Sequence, residues 1–355
     1  LARLALAAAP HVRRVHVFAG PGNNGGDGLQ AAPLLKAAGK AVRVTLLADP
    51  AALPADAALA LEQAQDHGIA ISSEWPDADE LGDDSLLVDA LLGLGARRAP
   101  QGRIAEAIAL INRAATAGGL PVLAVDLPSG LHPDSGALLG EEAVRATHTL
   151  SLLVPKPGLF TALGRDHAGI VWQHDLEVAA DTAHAVALLG GPPMPQPLRH
   201  AQHKGSFGNL VVIGGAQGML GAARLAARAA LGAGAGRVYL CPLDDAAPLA
   251  DLMQPELMLR RRVWDDDRSL LQDATIVCGC GGGSAVRELL PVLLEAAPRL
   301  LLDADALNAI AADAALGQRL AARAARGAAT VLTPHPLEAA RLLEASVAAV
   351  QADRL

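Results

Sequence analysis

Residues 20–28 read Gly-Pro-Gly-Asn-Asn-Gly-Gly-Asp-Gly, between the apolar run Val-His-Val-Phe-Ala at 15–19 and an Ala/Leu-rich stretch with helical character. Strand, glycine loop and helix together make an anion site. Glycines let backbone approach a phosphate closely, and the first N–H groups of a helix have no partner within it and point at the anion. A loop that only grips phosphate has no use for Asn23, Asn24 and Asp27. Those three side chains point to chemistry, or to a cation, beside the phosphate.

Working outward, short apolar runs alternate with longer helical patterns as far as about residue 175: VRRVHVFAG, VRVTLLAD, SLLVDALLG, PVLAVDLPSG and THTLSLLVP. Such alternation predicts a parallel sheet covered by helices. Prolines and glycines then crowd GGPPMPQPLRHAQHKG without periodicity, as in a linker. The pattern restarts with NLVVIGG, a helix over 220–232 and RVYLCP, followed by ATIVCG, RLLLDADAL and ATVLTPHP as further strands. The expected organisation is α/β throughout: a Rossmann-like three-layer domain at 1–190, a linker at 191–205, and a second α/β domain at 206–355.

A chain of 355 residues with 52% hydrophobic residues has ample core for two domains. A net charge of −8 with 2% aromatic residues argues against nucleic acid, which favours a basic face and stacking rings. Any phosphate must be gripped locally, which suits a small nucleotide. Cys241, Cys278 and Cys280 are too few for a disulfide framework, and an intracellular, cytoplasmic setting with reduced thiols is expected. Cys278 and Cys280 flank Gly279 as half a metal site would, but no second pair with ligand spacing follows, which favours inert thiols. Residues 1–10 resemble a shortened helix, and a first residue of Leu rather than Met predicts a natural start further upstream. No apolar stretch is long enough to span a bilayer, so no membrane partner is expected, and a homo-oligomer is left open.

In open parallel sheets ligands gather outside the carboxyl ends of the strands. Three such ends carry polar groups: Asn23, Asn24 and Asp27 after the first; Asp89 and a glycine turn on SLLVDALLGLGARR; Asp126 and Ser129 on VLAVDLPSG. Amide, carboxylate and hydroxyl oxygens with little net charge suit a hard monovalent cation, and potassium fits. A competing reading uses the Gly-x-Gly-x-x-Gly spacing of residues 20–25, with Asp49 to receive a ribose hydroxyl, as in a dehydrogenase. That reading leaves Asp27 and both later turns without roles.

GPGNNGGDG, VDALLGLGARR, VDLPSGL and VPKPGL, in that order, resemble the NAD(P)H-hydrate epimerase family over most of residues 12–175. The resemblance implies an α/β/α sandwich that interconverts the R and S epimers of NADHX and NADPHX, nicotinamide cofactors carrying a ring hydroxyl. It assigns the hydrate to Asn23, Asn24, Gly25, Gly26 and Asp27, to Gly93, Leu94, Gly95, Ala96, Arg97, Arg98 and Ala99, and to Asp126. Potassium falls to Asn24, Asp89 and Ser129. Epimerisation needs the hydroxyl protonated and lost, or the ring opened, and then the reverse; Asp126 is the expected catalytic acid/base. Bland alternatives stand beside these roles: Asp126 as a turn cap through Ser129 and Gly130, Asp27 as a helix cap, Arg97 and Arg98 as solvated side chains.

HKGSFGNLVVIGGAQGML, VCGCGGGS, DADALN and LTPHPLEAARLL resemble the ADP- or ATP-dependent NAD(P)H-hydrate dehydratase family over about 200–345. This implies a ribokinase-like fold and phosphorylation of the ring hydroxyl by ADP or ATP with Mg²⁺, with Ala222, Gly283 and His335 at the hydrate. Structural readings are open for each: close packing at Ala222, a chain turn at Gly283, a helix cap at His335. Asp303 and Asp305 follow a strand and are expected to line the same crevice. The chain has Gly279-Cys280-Gly281-Gly282-Gly283 where the family has Gly-Pro-Gly-Leu-Gly, and Leu337 where it has glycine. The family's Gly-Thr-Gly-Asp turn has no counterpart in the 355 residues, which predicts an apolar sheet edge and no dehydratase activity for these residues alone. A small-molecule kinase and a non-enzymatic nucleotide sensor complete the alternatives.

Overall fold

Alternation along the first strand sets the layers. In β1 (Arg14–Ala19), Val15, Val17 and Ala19 enter one hydrophobic cluster while Phe18 enters another on the opposite face. A computed structural model describes residues 1–77, 80–179, 184–192, 199–248 and 250–354, which form two compact units, Leu1–Gly190 and Gly191–Gln351. Of the expected linker, residues 193–198 lie outside the described residues.

The first unit carries a parallel seven-stranded sheet. Its strands are β1, β2 (Ala41–Leu46), β3 (Ala70–Ser72), β4 (Ser85–Ala90), β5 (Val122–Val125), β6 (His148–Leu152) and β7 (Ile170–His174), in the order β3-β2-β1-β4-β5-β6-β7. Helices α1 (Ala2–Ala8), α2 (Asn23–Ala37) and α3 (Ala55–Asp66) cover one face through Ala5, Leu29, Leu35 and Leu61. Helix α4 (Gly102–Gly118) covers the other through Ala107, Ile108 and Ile111. Strands β3 and β7 were not among the sequence-based expectations: β3 has three residues, and β7 is largely exposed with no apolar alternation.

The second unit repeats the logic. Its parallel sheet runs β10 (Met258–Leu259), β9 (Arg237–Pro242), β8 (Asn209–Gly214), β11 (Thr275–Cys278), β12 (Arg299–Leu302), β13 (Ala329–Leu332). Helix α5 (Leu220–Gly232) packs Ala223 and Ala227 on one face; α6 (Leu290–Ala296) and α7 (Ala304–Ala311) pack on the other. Strand β13 closes the sheet as an edge, with Val331 and Leu332 exposed, the apolar edge expected from the sequence. In each sheet the strand order reverses once, between β1 and β4 and between β8 and β11, and such a reversal opens a crevice at the carboxyl ends.

Candidate active site

The glycine loop is mostly helix. Helix α2 begins at Asn23 with Gly22 as its N-cap, so Asn23, Asn24 and Gly25 occupy the first turn, whose N–H groups have no partner within the helix. Asp27 is the fifth residue of α2, and Gly22 rather than Asp27 occupies the cap position, which removes the capping role considered for it. Gly25 and Gly28 are demanded by packing. A Cβ on Gly25 would lie 2.1 Å from the Gly20 carbonyl oxygen, and one on Gly28 2.7 Å from the Ala90 Cβ. The helix start is thereby pressed onto the ends of β1 and β4.

Asp89, on β4, is fully buried, and its donors among the described residues are all neutral. The Ser129 hydroxyl donates to Oδ1 at 2.6 Å, the Ser129 N–H to Oδ2 at 2.8 Å, and the Leu91 N–H to Oδ1 at 3.2 Å. Burial pushes the Asp89 carboxyl up to about 6, against the lowering effect of the Ser129 hydrogen bonds. Asn24 Nδ2 donates to the Leu92 carbonyl at 3.1 Å, and the Leu92 N–H donates to Ser129 Oγ at 2.9 Å. Asn24, Asp89 and Ser129, taken from three strand ends, therefore meet around the Leu91–Leu92 backbone. Gly93 lies against Asn24: a Cβ there would be 3.3 Å from that of Asn24.

Asp126 follows β5 with φ of 68°, a left-handed conformation uncommon for a non-glycine residue. Its Oδ1 accepts from the Leu152 N–H at 3.1 Å and from the Lys156 ammonium, which also donates to the Leu152 carbonyl at 2.6 Å. No bond runs from Asp126 to Ser129 or Gly130, so the turn-capping alternative does not hold among the described residues. Lys156 is buried and ion-paired to Asp126. Sequence reasoning quoted it within VPKPGL and gave it no role; the available signal was a lysine between two prolines directly after an apolar run.

Asp27 faces the same place. Burial raises its carboxyl above the ordinary aspartate range, and the charge of Asp126 raises it further. Asp27 lines two cavities of about 410 Å³ each, one with Asn23, Gln30, Asp56 and Gln63, the other with Val125 and Leu152 from the ends of β5 and β6. Leu94, Gly95, Arg97, Arg98 and Ala99 are exposed on the loop after β4, Ala96 is half-buried there, and the Ala96 N–H donates to the Gly93 carbonyl at 3.1 Å. Asp49, the ribose ligand of the dehydrogenase reading, caps a short turn by accepting from the Ala51 N–H at 3.0 Å.

In the second unit the glycine turn after β11 meets the start of α5: a Cβ on Gly281 would lie 3.1 Å from that of Ala222. The Gly283 N–H donates to Asp305 Oδ2 at 2.8 Å. Asp303 accepts from Thr333 Oγ1 at 2.8 Å and from Cys280 Sγ at 3.4 Å, and burial, then Asp303, push the Cys280 thiol up to about 12. His335 caps α8 (Pro336–Leu342): its Nδ1 accepts from the Leu337 and Glu338 N–H groups at 3.1 and 3.3 Å. Ala222 and the Gly279–Gly283 turn are thus brought together, while His335 stands at the end of β13 in its cap.

Residues 1–158 match the family of the YjeF-related protein N-terminus, and residues 210–355 match NAD(P)H-hydrate dehydratase. The bifunctional NAD(P)H-hydrate repair enzyme Nnr of Coxiella burnetii (strain RSA 493 / Nine Mile phase I) is 37% identical over 361 residues, 98% of this chain and 70% of that protein. The chain belongs to the bifunctional NAD(P)H-hydrate repair enzyme family. Nnr of Escherichia coli (strain K12) is 37% identical over 98% of this chain and 66% of its own length, and that of Moorella thermoacetica (strain ATCC 39073 / JCM 9320) is 35% identical over 97% and 68%. The chain spans about two thirds of the length of these relatives. Among solved structures, the ADP/ATP-dependent NAD(P)H-hydrate dehydratase of Bacillus subtilis, co-crystallised with ATP/Mg²⁺, is 25% identical over 45% of this chain and 56% of that chain, with a TM-score of 0.35. Membership in the repair-enzyme family does not favour the dehydrogenase, kinase and sensor readings.

Proposed function

We propose that the first unit epimerises NADHX and NADPHX at the β1/β4 crevice, and that the second contributes hydrate contacts to an ADP- or ATP-dependent dehydratase. The observation that carries this reading is the convergence of Asn24, Asp89 and Ser129 beside Asp126 at neighbouring strand ends. A phosphate loop alone has no need of that oxygen cluster.

Asn24, Asp89 and Ser129 fit a potassium ion on one further ground. A fully buried carboxylate with only neutral donors is costly, and a cation alongside would compensate it. Potassium would supply positive charge to the substrate's phosphates and tie the three strand ends together. The N–H groups of the first turn of α2 bind phosphate, and Arg97 and Arg98, exposed on the adjoining loop, reach the same oxygens. Asp126 handles the proton on the ring hydroxyl.

For the second unit, Ala222 and Gly283 offer a close backbone approach to the hydrate, with His335 beyond them. The Gly-Thr-Gly-Asp motif does not occur in the 355 residues, and no residue is assigned to nucleotide, Mg²⁺ or phosphoryl transfer. A cytoplasmic location is part of the proposal; no described helix is long and apolar enough to cross a membrane.

Mixing the protein with unequal NADHX epimers and following their interconversion by chromatography, in KCl and in tetramethylammonium chloride, tests the reading. Acceleration over the spontaneous rate, greater with potassium, is expected; none in either salt overturns it.

A further inference from the structure

Lys156 is a buried lysine in the first site, between Pro155 and Pro157, with its ammonium on Asp126. Its side chain is 7% exposed and that of Asp126 11%, so both charges are taken out of water and each depends on the other for compensation. Three contacts close a small ring: Lys156 Nζ to Asp126 Oδ1, Lys156 Nζ to the Leu152 carbonyl, and the Leu152 N–H back to Asp126 Oδ1. Both donors fall on the same carboxylate oxygen. Oδ2 of Asp126 receives no protein donor among the described residues, and Asp126 stands in a strained left-handed conformation. Pro155 and Pro157 flank Lys156 and restrict its backbone, and Lys156 precedes the short turn Pro157–Leu159.

We propose that Lys156 is a positioning residue for epimerisation: it pins one oxygen of Asp126 so that the other, together with the carboxyl of Asp27, forms an acid/base couple on the ring hydroxyl. The inference rests on the epimerase reading above. Asp27 suits the donor role, since burial and the neighbouring Asp126 both favour its protonated form. The Asp27 proton passes to the ring hydroxyl as the C–O bond breaks, the ring nitrogen's lone pair forms the C=N bond, and water leaves. Water then adds to the opposite face, the C–O bond re-forms, and its proton goes to Asp126 Oδ2. A proton returned from Asp126 to Asp27 through water resets the couple. Atoms and charge balance without an oxidant or reductant.

The test uses the 355-residue chain with Lys156→Met, Lys156→Arg, Asp126→Asn and the Asp126→Asn/Lys156→Met double variant, following NADHX epimer interconversion. Lys156→Met is expected to lower kcat by about 10²-fold, the usual scale of a lost proton-transfer group, with KM changed less than about threefold. Lys156→Arg recovers part of the rate. The double variant is expected to be no slower than Asp126→Asn, because both residues act through one carboxylate. If Lys156→Met does not fold, Lys156→Gln, which keeps a donor for the Leu152 carbonyl without the charge, takes its place. A Lys156 variant with unaltered kcat, a change confined to KM, or losses that multiply in the double variant would overturn the inference while the unmodified chain remains an epimerase. No acceleration by the unmodified chain overturns both.

Discussion

Ser129 engages both oxygens of Asp89 from 40 positions away, its hydroxyl on Oδ1 at 2.6 Å and its N–H on Oδ2 at 2.8 Å. Two strand ends are clamped by one buried carboxylate whose described partners are all neutral. The clamp sits where Asn24 arrives from a third strand end.

Replacing Asp89 with Ala should therefore remove the response to potassium. The wild-type melting temperature is expected to be higher in KCl than in tetramethylammonium chloride at equal ionic strength, and that of Asp89→Ala to be equal in both. The variant should also lose at least about tenfold in epimerisation rate, the scale of one lost electrostatic contact in an active site. Differential scanning fluorimetry and the chromatographic assay read both effects.

Arg97 and Arg98 lie on an exposed loop, where they can add affinity for phosphate without touching the ring. Replacing both with Ala should raise KM for NADPHX by about tenfold, or about 1.4 kcal/mol, and leave kcat nearly unchanged, as for contacts equal in ground and transition states. Steady-state kinetics separate the two constants, and a fall in kcat with constant KM would contradict the assignment.

The glycines of residues 20–28 should respond very unequally. Gly25→Ala places a Cβ 2.1 Å from the Gly20 carbonyl oxygen, against backbone that has little room to yield, and is expected to cost about 3 kcal/mol or more. At Gly22 a Cβ meets nothing within 4 Å and the backbone is extended, so Gly22→Ala should cost less than about 1 kcal/mol, as an altered N-cap does. Urea denaturation of the two variants compares them directly.

His16 is buried, with Nε2 2.9 Å from Thr45 Oγ1, and its pKa is lowered to about 4, first by burial and then by Arg43. The unfolded chain takes up this proton near pH 6.5, so stability is fully present above that value and declines as pH falls towards about 4. Between pH 7 and pH 5 the loss from this group is about 2 kcal/mol. Asp89, raised to about 6, acts in the opposite sense in this window, since protonation favours the folded form. His16→Gln should remove the histidine component alone, so the difference between wild type and variant should shrink by about 2 kcal/mol on going from pH 7 to pH 5. An unchanged difference would contradict it.

The alternation of apolar runs and helical stretches carried most of the architecture, because strands buried on both faces must be continuously apolar and their crossover helices long. Short edge pieces such as β3 and β10 escaped, having too few residues to show a period. Asn24, Asp89 and Ser129 were legible because each lies at or just beyond the carboxyl end of an apolar run, where parallel sheets place their ligands. Lys156 was not, since a lysine after a strand has no distinguishing pattern until its partner is known. Asp27 and His335 each admitted capping and functional readings from sequence: the helix start at Asn23 removes the first cap, and the contacts to Leu337 and Glu338 establish the second.

Local chemistry along the chain determined the two parallel sheets, the repair-enzyme motifs and the polar strand ends, because those are properties of residue order and spacing. Tertiary structure decided which charges meet: the Asp126–Lys156 pair, the approach of Asp27 to it, and the isolation of Asp89 among neutral donors. Burial and distance set the strength of such interactions, and neither is defined until residues 30 or 40 positions apart fold against one another.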